Sequence, residues 1–182
     1  MDDEVLHPGH RSIRLPGYDY SSEGLYFITI CTHEKRCILG QIVNARAELN
    51  SIGCAVRDSW VSIPQHFAGT RLHEFVIMPN HLHGIVEICA KLGRSGAAPL
   101  PGNAVARVHA GSISAIVRSF KALVTRHARQ QLGWMGDVWQ RNYFERVLRD
   151  GQEFSDASRY IVENPLKWEW DRENPKARSG NC

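Results

Sequence analysis

His81 and His83 stand two positions apart in the run FVIMPNHLHGIVEI, directly after a Pro-Asn pair. Side chains alternate across a strand, so both imidazoles point to one face and Leu82 to the other. Their separation along the strand, ~6.5–7 Å, lets both converge on one ion. Two imidazoles with an oxygen donor suit Mn²⁺, Mg²⁺, Zn²⁺ or another first-row ion. An HxH pair on its own more often packs in a core than holds a metal, so the choice depends on a third donor. The stretch RYIVENP offers one. Tyr160 and Asn164 are four apart and stack on one helix face, on the flank of a buried stripe made by Phe154, Ala157 and Ile161. Tyr160 supplies a phenolic nucleophile, and Asn164 a carbonyl oxygen fit for a hard cation. An Asn ahead of Pro165 is also an ordinary helix end, and that reading stays open. Tyr143 is the rival nucleophile, placed in a strand-like run with no companion ligand.

The chain that must position these groups has 182 residues, 43% hydrophobic and 23% charged. That is the size of one globular domain with a real core. No stretch approaches the ~20 apolar residues of a membrane span. The polar N-terminus has no signal pattern, so a cytoplasmic protein without a membrane partner is expected. The five cysteines, Cys31, Cys37, Cys54, Cys89 and Cys182, contain no CxxC pair. They read as free thiols in a reducing compartment. Net charge is +3, but residues 111–149 carry seven Arg and Lys against Asp137 and Glu145. A localised basic region favours an anionic partner such as nucleic acid, although a solvated helix face carries the same signature.

Residues 1–24 read as an irregular arm broken by Pro8, Gly9, Pro16 and Gly17. LYFITICT (25–32) reads as a central strand, and 37–50 as a hairpin turning near Asn44. Ile52, Ala55, Val56, Trp60 and Ile63 have helical spacing, with Pro64 as the expected stop. Two strands, 70–79 and 81–89, join tightly through Pro79-Asn80, which requires antiparallel pairing. Residues 90–110 read as a flexible insertion. A second helix is expected over 112–131, with Arg118, Lys121, Thr125 and Arg129 opposite its apolar stripe. A strand over 138–149 and a helix over 152–163 follow, then a polar tail at 166–182. The pattern is α+β with an antiparallel sheet, one domain over 25–165.

The blocks RSIRLPGYDYSSEGLYFITICT, VIMPNHLHGIVE, SFKALVTRHARQ, VWQRNYFERVLRD and YIVENPLKW together resemble the REP-associated tyrosine transposases, within the HUH single-tyrosine transposase superfamily. They cover well over half of the chain. The resemblance implies a ferredoxin-like antiparallel sheet of four or five strands flanked by helices. It implies that His81 and His83 bind a divalent ion, Mg²⁺ or Mn²⁺, with Asn164 as third ligand, and that Tyr160 is the nucleophile. The activity implied is cleavage and rejoining of single-stranded or hairpin DNA through a 5′-phosphotyrosine. Relatives include both monomers and homodimers.

Under this reading Arg118, Lys121, Arg129, Arg141 and Arg146 hold phosphates, which positions a strand without reading its sequence. Tyr143, with Trp139 and Phe144, could stack on bases, or Trp139 and Phe144 could simply pack in the core. Arg14 in the arm, near Arg11, Tyr18 and Tyr20, is a candidate for a hairpin contact. Three other readings stand beside it. One is a DNA-binding relative that lost catalysis. Another is a metal-dependent phosphoesterase without a covalent tyrosine. The last is a structural zinc site, which needs four ligands and would recruit His33, His73 or Cys89.

Overall fold

The computed structural model describes residues 22–89, 112–171, 173–175 and 177. The arm with Arg14 and the insertion at 90–110 lie outside the described residues. Among those described, strands β1 (Gly24–Cys31), β4 (Thr70–Met78), β5 (His81–Ile88) and β6 (Phe144–Leu148) form one sheet in the order β4-β5-β1-β6. All its pairings are antiparallel. Helix α1 (Ser51–Val61) connects β1 to β4, and α3 (Ile113–Leu132) connects β5 to β6. Two β-α-β units interleaved this way make the ferredoxin-like arrangement. Between β1 and α1 a hairpin of β2 (Gly40–Val43) and β3 (Arg46–Leu49) turns at Asn44 and Ala45. Both turn residues have positive φ, as a two-residue turn matched to strand twist requires.

The sheet has two differently used faces. Tyr26, Ile28, Ile30, Leu82 and Val86 point toward α1 and α3 and join Trp60, Ile116, Phe120 and Val124 in the main core. Gly84 lies in that face because a Cβ there would sit 2.4 Å from the Trp60 ring. The opposite face is covered by α4 (Gly151–Glu163), where Ile161 packs on Ile85 and Leu148, with Phe27, Phe154 and Ala157 around them. The stripe of Phe154, Ala157 and Ile161 thus docks as its spacing predicts.

Polar caps set the helix ends. Asn50, Ser112 and Asp150 accept from the backbone N–H groups of Gly53, Ala115 and Glu153, each cap worth about 1 kcal/mol. Gly133 closes α3 in the left-handed conformation.

Three boundaries differ from the sequence expectation. Pro64 does not stop the first helix: α1 ends at Val61, and Pro64 sits in the opening turn of the short α2 (Ile63–His66), where its missing N–H costs nothing. The strand expected over 138–149 is confined to 144–148. Before it, Trp139 makes an isolated antiparallel bridge to Thr32 and the Gln140 N–H donates to Cys31 O at 3.0 Å, while the carbonyls of Gln140, Arg141 and Asn142 turn to the Lys121 ammonium, at 2.8, 3.4 and 3.0 Å. Finally, Asn164–Trp170 continues from α4 as a 3-10 helix, so the first part of the polar tail is ordered against the domain.

Candidate active site

The face under α4 receives His81 and His83 from β5, paired across to Cys31 and Thr29 of β1. Both imidazoles are buried, at 0% and 4% exposure, and their ring centroids are 4.5 Å apart. Phe27 stacks on His83 at 5.3 Å. Burial pushes the His83 pKa well below the usual histidine value, with the neighbouring His81 adding to the effect. Burial likewise lowers His81, against the opposing pull of Asp171, Glu173 and the Asn164 amide. Neutral imidazoles are the form that ligates metals.

Helix α4 runs over these histidines and brings its two candidate residues down on them. The Tyr160 hydroxyl lies 3.4 Å from His83 Nε2, and the Asn164 side chain reaches His81. Residues four apart on a helix rise ~6 Å, which matches the ~6.5–7 Å between alternate strand residues. Tyr160 remains 43% exposed, whereas Asn164 is 2% exposed. Tyr160 is therefore accessible to a large substrate while the groups beneath it are dry.

Two polar atoms in this layer, His81 Nε2 and Asn164 Oδ1, are buried without a hydrogen-bond partner. Such atoms are costly unless something electrophilic satisfies them. A nitrogen lone pair and an amide oxygen, beside a second neutral imidazole, form a donor set that fits a divalent cation. Among the described residues no group of three His, Cys, Asp or Glu side chains is arranged to hold a metal ion. His73 is instead bonded to Glu87 at 2.9 Å, and His33 lies beside Glu34. The Cys31 thiol, across the ladder from His81, is pushed up to about 12 by burial and then by Glu173.

The basic residues divide between the two sides of the sheet. Arg146 projects on the α4 side, and its guanidinium lies 3.5 Å from Glu153. Arg118, Lys121, Arg129 and Arg141 belong to the α3 layer. Between α3 and residues 137–141 runs an open groove of about 640 Å³, lined by Lys121, Arg126, Arg129 and Arg141 against Asp137. Arg129 lies 3.9 Å from Asp137. Arg118 is exposed on α3 outside the groove lining. Burial lowers the Lys121 pKa to about 8, and its ammonium is engaged by the three loop carbonyls. Trp139 forms part of the groove wall, is 8% exposed, and has an indole N–H without a partner. Tyr143 packs against the main core and donates to the buried Glu145 at 3.0 Å, away from the histidine face.

No protein-family model matches the chain. An uncharacterised protein of Haemophilus influenzae is 46% identical over 165 residues, covering 89% of this chain and 91% of that one. The two proteins belong to one family. Among solved structures, a REP-associated tyrosine transposase bound to a REP hairpin superposes with a TM-score of 0.56 at 18% identity, over 87% of this chain and 77% of that one. The chain has the tyrosine transposase fold.

Within that transposase fold, four groups at the site were not singled out from the sequence. Thr29 Oγ1 lies 2.8 Å from His83 Nδ1, and Asn80 Oδ1 lies 2.8 Å from His81 Nδ1. Trp168, from the 3-10 segment, lies 6.2 Å from the His81 ring. Arg126 joins the groove. Two of them had a sequence signal: Asn80 by its place beside the HxH pair, and Arg126 by its place in the basic region 111–149. Thr29 depends on strand register, which sequence spacing does not specify. Among the described residues no helix is long and apolar enough to cross a membrane.

Proposed function

We propose that this protein is a metal-dependent tyrosine transposase that cleaves and rejoins single-stranded or hairpin DNA. The observation that carries the reading is the convergence of Tyr160 on His83 and of Asn164 on His81, with His81 Nε2 and Asn164 Oδ1 buried and unpartnered. Tyr160 Oη bonds to phosphorus as the P–O3′ bond breaks, leaving a 5′-phosphotyrosine and a 3′-OH. Attack by a 3′-OH on that linkage restores the phosphodiester and frees the tyrosine, so no energy source is consumed.

His81, His83 and Asn164 would hold a divalent ion, Mn²⁺ or Mg²⁺. Its chemistry is to withdraw negative charge from a scissile phosphate oxygen. A single Nε2 lone pair on His83 cannot both ligate a cation and accept the phenol proton. In this assignment the phenol proton passes to solvent, which the exposure of Tyr160 permits. Phe27 and Ile161 pack around the site and keep its floor dry, which strengthens the electrostatics there.

The groove beside α3 would take the sugar-phosphate backbone, with Arg126, Arg129 and Arg141 as charge partners, Arg118 nearby on the same helix, and Lys121 shaping the 140–142 loop. Arg146 is the candidate on the cleavage side.

The test is incubation of purified protein with labelled single-stranded hairpins and Mn²⁺ or Mg²⁺, resolved on a denaturing gel. A protein–DNA adduct that disappears in Tyr160→Phe and in His81→Ala is expected. Metal-dependent cleavage that survives Tyr160→Phe would replace this reading with a phosphoesterase. Tight binding without adduct or cleavage would leave a DNA-binding protein.

A further inference from the structure

The Asn80 side chain is fully buried at the turn between β4 and β5. Its amide nitrogen donates to two carbonyls, Lys35 O at 3.0 Å and Glu173 O at 2.6 Å. Both of its N–H groups are thereby used, which fixes which end of the carboxamide is oxygen. That oxygen lies 2.8 Å from His81 Nδ1 and can only accept. A neutral imidazole carries one proton, so the contact is a bond only when that proton is on Nδ1. Nε2 is then a bare lone pair, and Nε2 is the buried atom with no partner.

Asn164 makes the opposite demand on the same ring. Its Oδ1 would accept from a proton on Nε2, but a proton there would set Nδ1 against the Asn80 oxygen. Asn80 is held by two further bonds from two other segments of chain. The Nδ1 side carries a contact of hydrogen-bond length, 2.8 Å, whereas neither His81 Nε2 nor Asn164 Oδ1 has a hydrogen-bond partner. The bonded side decides.

We propose that Asn80 is a positioning residue that locks His81 in the Nδ1–H tautomer and presents its Nε2 lone pair, together with Asn164 Oδ1, to a cation. Outer-layer partners of this kind orient metal-binding imidazoles generally, and their loss typically costs ~10–100-fold in affinity. The role in cation binding rests on the metal reading above. The tautomer itself does not, because it is a property of the metal-free protein.

The measurement is long-range ¹H–¹⁵N correlation on metal-free, ¹⁵N-histidine-labelled protein above neutral pH, with Mn²⁺ affinity followed in parallel from the free-ion electron paramagnetic resonance signal. His81 should show a protonated Nδ1 and a bare Nε2. Asn80→Ala should move the proton to Nε2 and weaken Mn²⁺ binding by ~10–100-fold, while the His83 signals stay in place. A wild-type proton on Nε2 overturns the proposal, and needs no variant to be seen. An Asn80→Ala tautomer unchanged in a folded protein overturns it as well. An Nδ1 proton in a wild type that binds no Mn²⁺ would remove the metal reading while upholding Asn80 as the group that sets the tautomer.

Discussion

The Tyr160 hydroxyl lies 3.4 Å from Nε2 of His83, 77 positions apart in the chain, while the Tyr143 hydroxyl is bonded to Glu145 on the other face of the sheet. The two tyrosines therefore predict opposite phenotypes. Tyr160→Phe should abolish the covalent DNA adduct and change stability by no more than about 0.5 kcal/mol, as expected for a partly exposed side chain. Tyr143→Phe should keep the adduct and cost about 1 kcal/mol through the lost bond to buried Glu145. Gel assays and urea unfolding of both variants check this. An adduct lost only in Tyr143→Phe would reverse the assignment.

Thr29 approaches His83 from the neighbouring strand, at 2.8 Å from Nδ1. Thr29→Val keeps the side-chain volume and removes the hydroxyl. Mn²⁺ affinity should fall by ~10–100-fold, with far-UV circular dichroism unchanged. Titration of Mn²⁺ into both proteins decides, and equal affinities would strip Thr29 of this role.

Gly84 separates the histidine pair from the rest of β5, and its missing side chain is where Trp60 lies. Gly84→Ala should destabilise the fold by about 1–3 kcal/mol, the range for overpacking a dense core. Thermal unfolding measures it. An unchanged midpoint would mean that Trp60 yields freely.

Lys121 gives a pH signature. Burial lowers its pKa from 10.5 to about 8, so between those values the unfolded chain holds a proton that the folded protein has released. Stability from this group therefore rises as pH increases from about 8 toward 10.5. The stability difference between wild type and Lys121→Met should shift in favour of wild type across that window. Parallel curves in guanidinium unfolding at several pH values would contradict the lowered pKa.

For the groove, Arg126→Gln and Arg141→Gln should each weaken hairpin binding similarly across DNA sequences. Each should flatten the dependence of log affinity on log salt by ~0.7–0.9 per lost phosphate contact. An unchanged salt slope in both variants would place the DNA elsewhere.

The sequence by itself determined the ingredients of the candidate site and the class of fold. Alternation placed His81 and His83 on one face, and helical spacing placed Tyr160 and Asn164 on another, because both are properties of local backbone geometry. The succession of elements along the chain and the tight Pro79-Asn80 connection followed from the same local rules, whereas the order β4-β5-β1-β6 within the sheet did not. Tertiary structure alone decided what those faces meet. Strand register set Thr29 against His83, and two carbonyls distant in sequence oriented Asn80 toward His81. The Lys121 ammonium took the carbonyls of residues 140–142 and interrupted the strand there, although their alternation reads as strand. It also turned a lysine chosen for phosphate toward carbonyls of its own chain. In each case the deciding term is a hydrogen bond between residues far apart in sequence, and hydrophobic periodicity carries no record of it.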